Sequence, residues 1–344
     1  MSGMKFFLIT FTAFFAAAAF AQQPTDQVGV SPGSRARYAT DAYPGFDFDK
    51  ESLSPERKEP RWFSFFNGPK CETAAAQYSY CQSLEAEESW SKAAKEYDAL
   101  VREWPASEEA PAAQLRLAEI LFEKEDDCPG AFAEYRYLID FYSFRCDYNA
   151  AVNRMYEIAG RMREEGKTIV FFRFGNTVEV RRAYERCVLC APGAAWAPDA
   201  MLAIGILRED EDKPDEAVKV YENLRNLHFG TEQAKVALLR EARVRMEILG
   251  ERGYNRERCL DTVRFLDLAL RTAEGEEAEA LRAMRDDASG RVHDEDYRAA
   301  LFYDSRMRTS RSAISAYERF LADHPESVRA EEVRRRLGEL KGER

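Results

Sequence analysis

Residues Ser91–Pro105 read SKAAKEYDALVREWP. Ala93, Tyr97 and Leu100 stand at i, i+4 and i+7, which puts them in one stripe of a helix. Pro105 follows five residues after Leu100, where a ring and a missing N–H end a helix. The spacing A-x3-Y-x2-L/F-x4-P returns at Ala313, Tyr317, Phe320 and Pro325, 220 residues further on. A pattern that recurs intact over such a distance predicts a repeat architecture.

Outward from this stretch, helices follow one another. The partner of the opening helix is expected over 73–86, with Ser89 or Ser91 as the N-cap between them. A second pair begins at PAAQLRLAEILFEKEDD. Its second helix carries Pro129 in the first turn, where the missing N–H costs nothing, and then Ala131, Tyr135 and Leu138. Ser143 replaces the terminal proline of this copy. Ala93 to Ala131 is 38 residues, close to the period of about 34 of tetratricopeptide repeats. A third pair is expected over Asn149–Glu165 and Val178–Leu189, with Val180, Tyr184, Cys187 and Pro192 at the repeat spacing. Between them, Ile169–Phe172 is β-prone, so residues 167–177 are expected to form an ordered insertion.

The fourth pair places Gly205 where two helices must approach closely, followed by Ala217, Tyr221 and Leu224. The fifth is degenerate: a long helix over Glu232–Leu249, then Cys259, Val263 and Leu266. The sixth opens with a long arm over 276–305, expected to break near Gly290, and closes with the Ala313–Pro325 copy. Ala330, Val333, Leu337 and Leu340 form one stripe on an otherwise charged last helix, as the cap of a solenoid requires.

The N-terminus reads as a targeting segment. Lys5 precedes an uncharged Phe/Ala-rich run, and Ala19-Phe20-Ala21 fits a cleavage site, so residues 1–21 are expected to be a cleaved signal peptide. Residues 22–72 read as a low-order linker, polar and rich in Pro and Gly. It contains the aromatic cluster Trp62, Phe63, Phe65 and Phe66, expected to pack on the first helices.

Composition narrows the function. The hydrophobic share of 45% can support a core, and the formal charge of −11 argues against nucleic acid as a partner. Only three histidines are present, His228, His293 and His324, and P-loop, nucleophile-elbow and HExxH motifs are absent. The reading is therefore non-enzymatic, with no cofactor and no metal. The acidic runs Glu123–Asp127 and Glu209–Asp212 are expected to be solvated turns. Seven cysteines in an exported chain invite disulfides. Cys128 and Cys146, however, flank a helix of about 14 residues, roughly 20 Å apart, too far to be bridged. Cys187-x2-Cys190 lacks the second pair of a metal site and is read as packing.

These residues resemble tetratricopeptide repeats, and the chain is similar to the BamD-type (YfiO-like) outer-membrane assembly proteins. The resemblance rests on YDALVREWPASEEAPAAQLRLAEILFE, on AWAPDAMLAIGIL with EAVKVYENL, and on ALFYDSRMRTSRSAISAYERFLADHPES. It implies an all-α, right-handed α–α superhelix of five to six helix pairs over residues 73–344. It further implies a periplasmic scaffold at the inner face of the outer membrane. The expected partners are a POTRA-containing assembly component and unfolded barrel substrates, with membrane association through those partners. The lipobox cysteine of that family is missing: Gln22 follows the cleavage site. An adaptor of the Tol–Pal-associated type uses similar units and is the alternative. By the tetratricopeptide frame, Tyr78, Gln82 and Arg116 point into a peptide groove. Ala93, Tyr97, Leu100, Pro105, Ala131, Tyr135, Leu138, Gly205, Ala217, Tyr221, Leu224, Ala313, Tyr317, Phe320 and Pro325 form the repeat-core motif.

Overall fold

The computed structural model describes residues 42–46, 58, 68–168, 173–251, 255–306 and 310–342. The expected signal peptide, the cluster Trp62–Phe66 and the β-prone Ile169–Phe172 lie outside the described residues. Among those described, the chain is all-α, with thirteen helices and no strand. In chain order they are α1 Ala74–Ala86, α2 Trp90–Glu103, α3 Ala110–Glu123, α4 Cys128–Phe141, α5 Tyr148–Thr168, α6 Arg173–Cys190, α7 Ala197–Asp210, α8 Pro214–Leu227, α9 Glu232–Glu251, α10 Arg256–Ala269, α11 Gly275–Arg306, α12 Ser310–Asp323 and α13 Ala330–Lys341. No described helix is long and apolar enough to cross a membrane.

The chain forms two compact units, up to Ala234 and from Lys235 onward. In the first unit each helix from α1 to α8 packs on its neighbours in the chain, the one-dimensional stacking of helical repeats. The core is what the spacing predicts: Ala93, Tyr97, Leu100, Ala131, Tyr135, Leu138, Ala217, Tyr221 and Leu224 are all buried. α2 stops at Glu103, before Pro105. In the second unit, α9, α10 and α11 enclose Ala242, Leu249, Cys259, Leu266 and Leu281. Tyr297, Ala313, Tyr317, Phe320 and Val333 form a second cluster, with Leu337 and Leu340 of α13 packed against it.

A structural signature recurs that periodicity alone does not display. Glu88, Asp126 and Asp212 have φ values of 54°, 56° and 58°. Each stands nine residues before a core tyrosine: Tyr97, Tyr135 and Tyr221. These left-handed residues turn the chain back after α1, α3 and α7, the position where glycine is usual. The core tyrosines are anchored as well. Tyr97 donates to Glu85 Oε1 at 2.5 Å and Tyr317 to Asp304 Oδ2 at 3.0 Å. Tyr221 donates to Glu209. In each case the carboxylate lies near the end of the preceding helix.

Four expectations change. Pro105 is half-buried and Pro325 exposed, so they are stops and not core; a residue that ends a helix leaves the packed stripe. α11 runs unbroken through Gly290. One glycine costs a helix only about 1 kcal/mol against alanine, and buried Ala288 and Val292 hold the register on either side. Helix α5 reaches Thr168 and α6 begins at Arg173, so most of the insertion expected over 167–177 is helical; adding residues to an established helix is far easier than nucleating one. Finally, Glu211 is not a solvated turn residue: its side chain is 6% exposed and paired with Arg181.

Candidate functional site

Two faces of the first unit carry the polar chemistry. The first holds the residues chosen for a groove. Tyr78 lies against Tyr97, with ring centroids 5.7 Å apart. Arg116 on α3 donates through Nε to Glu85 Oε1 at 3.2 Å, and its guanidinium also pairs with Glu85 Oε2 and Glu119. Arg116 and Tyr97 therefore converge on Glu85, with Tyr78 beside the Tyr97 ring, while Gln82 is exposed and joins neither. Glu85 is held below the usual carboxylate range. Burial works against its charge, but hydrogen bonds from Arg116 and Tyr97 outweigh burial. The pattern continues along the chain. Arg154 on α5 reaches Glu123 of α3 at 3.4 Å, and Arg161 pairs with Asp126. Arg116 and Arg154 thus tie one hairpin to the next, and both are committed to carboxylates.

The second face is built on the residue before each core tyrosine: Glu96 on α2, Glu134 on α4 and Val220 on α8. Gln77 Nε2 donates to the Glu96 carbonyl at 3.4 Å and to its Oε2 at 2.7 Å. Gln114 Nε2 makes the same two bonds to Glu134, at 2.8 and 2.6 Å. Both glutamines are wholly buried. Gln77 Oε1 accepts the backbone N–H groups of Lys70 and Cys71, at 2.9 and 3.0 Å.

Along this face lie pieces of the chain's own N-terminal segment. Tyr43-Pro44-Gly45-Phe46 forms a turn closed by the Phe46 N–H on the Tyr43 carbonyl, at 3.1 Å. Pro at the second position and Gly45 at φ +90° at the third are the marks of a type II turn. The Tyr43 and Phe46 rings stack at 5.2 Å and are 3% and 5% exposed. The Gly45 carbonyl accepts from Arg208 Nε at 3.1 Å and Nη2 at 2.8 Å. A Cβ at Gly45 would stand 2.8 Å from both the Glu216 carbonyl and Val220 Cγ2, so only glycine fits.

Further along, the Lys58 N–H donates to the Tyr137 hydroxyl at 3.4 Å. Its ammonium bonds Asp98 at 2.9 Å, pairs with Glu134 and lies over the Tyr137 ring. Burial opposes the charge of Asp98, but Lys58 and Arg102 outweigh it and hold this carboxyl below its ordinary range. The low-order linker expected over 22–72 is thus seated at 43–46, at Lys58 and at Lys70–Cys71. The two buried rings offset part of the entropy of ordering the four residues of this turn.

The seat of the turn rests on a buried ionic network. Arg181 on α6 donates to Glu185 Oε1 and to Glu211 Oε1, both at 2.7 Å. Arg208 on α7 approaches Glu211 at 3.2 Å and Glu216 at 2.8 Å. Sequence reasoning missed Tyr43, Phe46, Lys58, Gln77, Gln114, Arg181 and Arg208. The legible signal was YPGF, a turn dipeptide between two aromatics inside a polar tract.

Asp126, Cys128 and Glu165 come close enough to hold a metal ion, but Arg161 already pairs with both carboxylates; desolvation pushes the Cys128 thiol up to about 11. All seven cysteines are free, and five of them are buried. Cys187 and Cys190 lie inside α6, with thiol pKa values raised by burial. A thiol reagent is expected to modify Cys71 and Cys146 first and all seven after unfolding without reductant; a lower final count would reveal a disulfide.

No protein-family model matches the chain, and no curated protein matches it.

Proposed function

We propose that the chain is a non-enzymatic, right-handed tetratricopeptide-repeat scaffold of the periplasm. In this reading it is a BamD-like accessory subunit that assists assembly of β-barrel proteins into the outer membrane. The carrying observation is that α1–α8 pack in chain order, each on its neighbours. That arrangement leaves long flanks of successive helices available to a partner, which is how stacked repeats bind. The spacing of Ala93, Tyr97 and Leu100, with its copies, supports the repeat type, and residues 1–21 support export. The C-terminal repeats are the expected contact for a POTRA-containing component, and the N-terminal ones for incoming barrel chains. In this reading the chain is held at the membrane through those partners.

Affinity purification of the tagged full chain from envelope extracts tests this. A POTRA-containing barrel component is expected to co-purify. Recovery of Tol–Pal components or cell-wall enzymes in its place would favour an envelope adaptor and end the barrel-assembly reading.

A further inference from the structure

Several of the contacts that seat the described pieces of the N-terminal segment are contacts to its main chain. Gln77 takes the N–H of Lys70 and Cys71, the Tyr137 hydroxyl takes the N–H of Lys58, and Arg208 gives two hydrogen bonds to the Gly45 carbonyl. Main-chain groups are common to every polypeptide, so these contacts do not require this particular segment.

The face also holds polar atoms that no described residue of the segment uses. Gln114 repeats the bonding of Gln77 to the residue before a core tyrosine, yet among the described residues its wholly buried Oε1 has no hydrogen-bond partner. In the neighbouring hairpin the same atom takes two backbone N–H groups. On α8, the buried Nδ2 of Asn223 is likewise without a partner. Asn223 stands two residues after Tyr221, as Tyr137 stands two after Tyr135. Buried acceptors and donors left unmade are costly and rare. One open acceptor and one open donor are what the N–H and C=O of an extended chain would fill.

We infer that this face is a main-chain-reading site for polypeptide, occupied in cis by the Tyr43–Phe46 turn and Lys58, and able to take an aromatic–turn–aromatic segment of a partner protein in their place. This rests on the scaffold reading and specifies its ligand. The pocket for the turn admits two stacked rings around a glycine, and the Asp98–Glu134 pair selects a basic residue further along. The cis segment competes from a high effective concentration because it is tethered. A partner segment therefore binds weakly until the turn is released.

The test uses the full chain and a fluorescent peptide of residues 38–58. Tyr43→Ser with Phe46→Ser removes both rings from the turn without touching a helix. Gly45→Val releases the turn by a second route, through its positive φ and its contact with Val220. Circular dichroism checks that helix content is unchanged. Fluorescence polarisation is expected to show the peptide binding both variants at least about tenfold more tightly than the wild type, since the competing cis state is removed. The same peptide carrying the two serines is expected not to bind. Equal affinity for wild type and variants, or no binding to any of them, would overturn the inference. Co-purification of a barrel component alongside failed exchange would sink this inference alone; successful exchange without co-purification would sink only the barrel-assembly reading.

Discussion

Tyr221→Ala is expected to destabilise the protein by about 3–5 kcal/mol, the range for deleting a large buried ring. Tyr221 is wholly buried at the junction of α7 and α8, and its hydroxyl is held by Glu209. Tyr221→Phe keeps the ring and should lose only the net worth of that hydrogen bond, about 1 kcal/mol or somewhat more for a charged acceptor. Gly205 supplies the sharper control. A Cβ there would stand 2.7 Å from Tyr221 Cζ, so Gly205→Ala in the wild type should cost about 1–3 kcal/mol through overpacking. In the Tyr221→Ala background the clash is gone, and the same change should stabilise by about 1 kcal/mol through helix propensity. Urea unfolding of the four proteins gives the cycle. A Gly205→Ala effect of the same sign in both backgrounds would show that the ring is not what the glycine accommodates.

The second large effect belongs to Arg181. Its guanidinium is wholly buried and gives separate donors to Glu185 and Glu211. Arg181→Met removes one of the two buried cations from a group that also contains Arg208, Glu185 and Glu211. Breaking a buried ion pair from one side typically costs about 3–5 kcal/mol because a charge is left uncompensated. Arg181→Lys should recover only part of the loss, since one ammonium cannot reproduce the two-pronged geometry. Removing Glu185 together with Arg181, as the double Met variant, should be milder than Arg181→Met alone. If Arg181→Met unfolds at the wild-type urea midpoint, the network is not structural.

The stripe Ala93, Tyr97, Leu100 and its copies was legible in sequence because an apolar period of 3.6 is a local signal. Helix ends at proline were legible for the same reason. The turns at Glu88, Asp126 and Asp212 were not, because the left-handed position carries an acidic residue and not glycine. The charged run Glu209–Asp212 looked like a solvated turn, yet Glu211 serves Arg181, 30 residues earlier in the chain; no spacing rule announces a pair so far apart. Of the groove candidates, Arg116 pairs with Glu85 and Tyr78 lies on Tyr97, whose hydroxyl bonds the same carboxylate; the repeat frame does not supply that partner. The seat of the Tyr43–Phe46 turn was hidden because a polar tract around a four-residue motif has the composition of a linker.

That turn also bears on the order in which the molecule assembles. The Tyr97–Glu85 bond closes a loop of 12 residues, whereas the Arg208–Gly45 bond joins residues 163 apart. In an unstructured chain the longer closure costs about 2 kcal/mol more in entropy. The difference shrinks once the intervening helices have formed and shortened the path. On a ribosome or a translocon, moreover, Tyr43 emerges long before Val220 exists to receive it. Docking of the turn is therefore a late event, which makes its occupancy a checkpoint that reads whether α7 and α8, the helices that carry Arg208 and Val220, are in place.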